Sequence, residues 1–145
     1  GFSYLSSGLF KEAFDVLSLV NVDHCNTNTK IEYYTCKSRL YYDLADYNRT
    51  SGFRERYIET GNLIIDSALV LLRQGSAQYW ATLGLKNMKT DNHDAAVASF
   101  RKMIDTKNYS EHELAIATSS VAYVLGLQGK TAESKEYWIK KIHWC

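Results

Sequence analysis

Residues 80–100 read WATLGLKNMKTDNHDAAVASF, and this stretch decides the fold. Leu83 and Gly84 follow Trp80 at three and four residues, the spacing of one helical face and not of a strand. Twelve residues past Gly84 stands Ala96, with Phe100 four later and Met103 three after that. Asp91-Asn92 between them reads as a short turn. The two halves are therefore helices folded back on each other. Gly84 and Ala96 are small so that the backbones can approach closely, while Trp80 and Phe100 fill the space around that contact.

Outward from this hairpin, the same three-and-four spacing of apolar residues continues in both directions. It predicts helices over Leu9–Val20, from Thr29 onward, over Arg54–Leu72, Gln78–Met88 and Ala95–Ile104, from Ser110 to about Leu127, and over Thr131–Ile142. Thr29 with Glu32, and Ser110 with Glu113, have the spacing of capping boxes. The helix after Thr29 is expected to bury Ile31, Tyr34, Ser38, Tyr41, Leu44 and Ala45. No segment alternates like a strand, and the chain contains no proline, the commonest helix breaker. The reading is all-α, built of antiparallel helix hairpins.

The 80–103 stretch resembles the tetratricopeptide repeat, whose pattern is W-x-x-L-G-x-x-Y, then A-x-x-x-F, then a small residue. Asn87 replaces the Tyr, and Asn108 stands where a closing Pro would be. Weaker copies flank it: Tyr4 with Ala13 and Leu17, then Tyr34, Ser38 and Tyr41 with Gly61, Ile65 and Ala68, and finally Val121, Ala122 and Leu125 with Ser134 and Trp138. From Ala13 to Gly61 to Ala96 to Ser134 the steps are 48, 35 and 38 residues, so the array is irregular. The second unit needs longer helices or an extended loop near Asn48–Phe53. The resemblance implies one repeat domain over residues 1–145, about three and a half units stacked as a right-handed α-α superhelix. Residues expected to pack the repeats are Ala13, Tyr34, Gly61, Trp80, Gly84, Ala96, Phe100, Ala122 and Trp138.

LSSGLFKEAFDVL near the start, YYDLADYNR over 41–49 and GNLIIDSALVLL over 61–72 are more particular. They resemble the sensor region of a bacterial family of membrane-anchored transcriptional regulators. That likeness implies an exported repeat region, then a membrane helix, then a cytoplasmic regulatory segment expected to bind DNA. It places this region on the periplasmic side, with the cytoplasm as the alternative. The opening GFSYLSSGLF reads as a chain already under way, so a longer protein is expected around it.

Composition removes several other functions. Seventeen basic and 16 acidic residues leave a formal charge of +1, which gives no electrostatic reason for nucleic acid or a membrane surface as a direct partner. Cys25, Cys36 and Cys145 have no metal-ligand spacing, and the four histidines supply no convergent donor set. They read as small packed thiols and surface histidines. No nucleophile pair with an orienting group is apparent, and no glycine heads a phosphate loop. No catalytic residue, metal or cofactor is expected.

What remains is binding. In stacked hairpins the first helices line the concave side, so their residues off the packing seam face a ligand. Those are Glu32, Arg39 and Tyr42, then Gln78, Thr82 and Lys89, then Ser119 and Tyr123. Tyr42 is the aromatic expected to be available. Some repeats of this type clamp a carboxylate with Lys and Asn on these faces. Here Thr35, Arg39, Thr82, Leu85, Ser119 and Tyr123 stand instead, which disfavours such tail binding. The expected role is a protein-interaction or ligand-sensing domain that takes a peptide, protein or small ligand. The alternative is a structural adaptor that self-associates through its repeat ends.

Overall fold

The computed structural model describes residues 7–47 and 52–144, with side chains over 10–47 and 52–139. Tyr4, the 48–51 stretch and Cys145 lie outside the described residues, as do the side chains of Ile142, His143 and Trp144. Among the described residues there are seven α-helices and no strand: α1 (Ser7–Ser18), α2 (Thr27–Tyr47), α3 (Arg54–Leu71), α4 (Ala77–Lys89), α5 (His93–Asp105), α6 (Glu111–Leu127) and α7 (Thr131–Trp144). A 3-10 turn at Val22–His24 interrupts the loop between α1 and α2. The chain forms two compact units, residues 1–71 and 72–145.

Side chains and backbone turns mark the helix ends. Ser110 accepts the Glu113 amide at 3.1 Å while the Glu113 carboxylate accepts the Ser110 amide at 3.2 Å, a complete capping box at the head of α6. Ser76 Oγ accepts the Tyr79 amide and opens α4 in the same way. The box expected at Thr29 is not there. Asn26 Oδ1 accepts the Thr29 amide at 2.9 Å, so α2 begins two residues earlier, at Thr27. After α4 the chain reverses with Asp91 at φ 61° and the Asn92 amide returned to Asn87 O. After α6 it reverses with Gly129 at φ 76° and the Lys130 amide returned to Leu125 O. Both are six-to-one closures that satisfy the last carbonyls of the helix.

In the first unit α2 packs along α3, and α1 lies on α2. Its core is Phe10, Ile31, Tyr42, Ala45, Ile65 and Ala68, with Ser38 and Gly61 where the two long helices come closest. A β-carbon at Gly61 would lie 3.3 Å from the Ser38 carbonyl oxygen and 2.8 Å from the Tyr42 ring, so only glycine allows this approach. Each helix runs about one turn further past this small pair than in the shorter hairpin: nine residues follow Ser38 within α2, whereas five follow Gly84 within α4. Seven residues precede Gly61 within α3, whereas three precede Ala96 within α5. The connection is six residues where the other is three, so longer arms and a longer connection together account for the long spacing. Aromatic rings flank the lengthened arms, Phe14 on Tyr41 at 4.9 Å and Tyr41 and Phe53 each 6.4 Å from Tyr57. Ala13 and Tyr34 are half-buried.

In the second unit α4 packs on α5, α5 on α6 and α6 on α7, around one core of Ala77, Val97, Phe100, Met103, Ala117, Val121, Val124 and Leu125. Gly84 is covered by the Phe100 ring, and Ala96 is fully buried opposite it. Trp80 is half-buried at the edge of this core, with the Lys102 ammonium 4.5 Å above its ring. The α6–α7 hairpin repeats the plan with Ala122 and Ser134, whose hydroxyl donates to the Ala122 carbonyl at 2.6 Å. Thr118 then occupies the place of Trp80, and Trp138 that of Phe100. Trp138 departs from the expectation of a packing residue: it is 40% exposed where Phe100 is 3% exposed. Phe100 is closed in by both α4 and α6, while α7 packs mainly on α6 and meets α5 at its edge, where Arg101 Nε donates to the Tyr137 hydroxyl at 3.0 Å.

Candidate functional site

The first helices of the three hairpins are α2, α4 and α6, and each carries residues expected to meet a ligand. In the first unit Glu32 and Arg39 are exposed on α2, two turns apart on one side. Tyr42 is not with them. It is 1% exposed, and its hydroxyl donates to Asn62 Oδ1 at 2.7 Å. The correction follows from register: Tyr42 comes four residues after Ser38 and eleven after Ile31, which places it in the middle of the buried face and leaves Tyr41 and Tyr34 at its margin. Burial pushes the Tyr42 phenol well above the ordinary tyrosine range, and the nearby Asp66 carboxylate adds to the effect.

In the second unit Gln78 is exposed and Lys89 half-buried on α4. Thr82 is 8% exposed and spends its hydroxyl on the Gln78 carbonyl at 2.7 Å, so it is a wall residue and not a free ligand group. On α6 the Ser119 hydroxyl donates to the Ile116 carbonyl at 3.0 Å, and Tyr123 is 55% exposed. Ile116 and Leu127 stand in line with Tyr123 at 43% and 56% exposed. This apolar line is the main surface feature of α6, and Ile116 was missed by pattern reading. The signal was present, since no charged residue occurs between Leu114 and Leu127 and a helix apolar on every side needs cover on every side.

The remaining chemistry-bearing residues do not converge. Among the described residues no three His, Cys, Asp or Glu side chains could hold a metal ion. Cys36 is exposed and not the packed thiol expected, because its position on α2 lies outside the buried face. Cys25 is half-buried with its thiol directed to the Asn21 carbonyl at 3.4 Å. No described helix is long and apolar enough to cross a membrane.

Helix hairpins closed on a small pair, Gly84 with Ala96 and its two relatives, define a repeat domain of the tetratricopeptide class, whose members generally mediate protein–protein interaction and are generally non-catalytic. The chain belongs to the family described as the SusR N-terminal TPR domain, which matches residues 1–141 and so runs through both units. No curated protein and no solved structure matches the chain.

Proposed function

We propose that this repeat domain is the sensing part of a bacterial regulator and that it binds a partner through exposed side chains of first helices, above all Tyr123 on α6. The exposure of Tyr123 in line with Ile116 and Leu127, on a stretch of α6 that carries no charge from Leu114 to Leu127, carries the reading. An aromatic ring offers apolar area together with a hydroxyl for hydrogen bonding, and clusters of that kind dominate binding energy in interfaces. In the other unit Arg39, exposed on α2, supplies a planar cationic fork for a carboxylate or sugar oxygens. The membership in a regulator's N-terminal domain family supports a role upstream of a regulatory output. On this reading the domain carries out no catalysis and does not itself contact nucleic acid.

A second reading, an adaptor that joins copies through the array end, is favoured by Trp138 and Ile139, which are 40% and 64% exposed on α7. A reporter assay in the intact regulator separates the two. Tyr123→Ala and Arg39→Ala, alone and together, should abolish signalling with little change in melting temperature, whereas Trp138→Ala with Ile139→Ala should leave it intact. Full signalling from the Tyr123 and Arg39 variants, with loss from the α7 pair, would reverse the choice.

A further inference from the structure

We draw no further inference here: the strongest candidate, the exposed apolar line of Ile116, Tyr123 and Leu127 on α6, belongs to the site already described, and nothing in the structure shows what covers it.

Discussion

Phe100 lies so close to Gly84 that a β-carbon added there would come within 2.8 Å of its ring. Phe100 is 3% exposed and belongs to the core shared by α4, α5 and α6, so its ring cannot simply swing away. Gly84→Ala should therefore cost about 1–3 kcal/mol, in spite of alanine's better helix propensity. Phe100→Leu alone should also destabilise by leaving space. Combined, the two should cost clearly less than their sum, because each relieves the fault of the other. Urea melts of the double-mutant cycle measure that coupling, and simple additivity would remove the pair from the centre of the hairpin.

Ser134 and Thr118 make opposite cases within one hairpin. The Ser134 hydroxyl is satisfied by the Ala122 carbonyl at 2.6 Å, and Ser134→Ala should cost about 1 kcal/mol. Thr118 is 0% exposed, and its hydroxyl oxygen has no hydrogen-bond partner among the described residues. Thr118→Val keeps the shape and removes an unpaired polar atom, so it should stabilise by about 1 kcal/mol. Chemical denaturation of the two single variants, read for opposite signs, is the check.

Tyr42 should make stability fall in alkali. Unfolded, its phenol ionises near the ordinary value of 10.0; folded, burial and then Asp66 hold it protonated to well above that. The contribution is therefore complete below about pH 10 and is lost as pH climbs beyond it, by up to about 1.4 kcal/mol per pH unit. Tyr42→Phe should cost about 1 kcal/mol at neutral pH through the lost bond to Asn62, and should fall less steeply than the parent above pH 10. Melts at about pH 8 and about pH 11 give the difference in slope.

Two turns place ordinary residues in left-handed backbone, Asp91 at φ 61° and Lys107 at φ 53°. Asp tolerates that region through its short polar side chain; Lys has no such relief. Lys107→Gly should stabilise the protein by about 0.5–1 kcal/mol, and Asp91→Gly by less. Differential scanning calorimetry should rank the two in that order.

The hairpins were legible because their closest points are marked chemically. Gly84 with Ala96 fixes one contact, and Ser110 with Glu113 announces the start of α6 through a bond pattern that depends on four consecutive positions only. Tyr42 was misplaced because two adjacent tyrosines compete for one face of α2. Only the run from Ile31 through Ser38 to Ala45, taken as a whole, shows which of them points inward. Ile116 was missed for a different reason: where a helix carries no charge, as α6 does from Leu114 to Leu127, apolar periodicity no longer distinguishes the buried side from the exposed one. Asn26, not Thr29, caps α2, since several polar residues in a row offer the same cap and pattern alone does not rank them.

The lengthened α2–α3 hairpin has a consequence for how such a chain can change. Its two arms exceed those of α4–α5 by four residues each, close to the 3.6 of one turn. Growth in that increment keeps every side chain in phase with its neighbours on the opposite arm, whereas a gain of two residues would swing half the face away. Insertion at the tip is thus quantised, and it must be matched on both arms. What the packing fixes is rotational phase about Ser38 and Gly61, and length can be added around it without disturbing that contact.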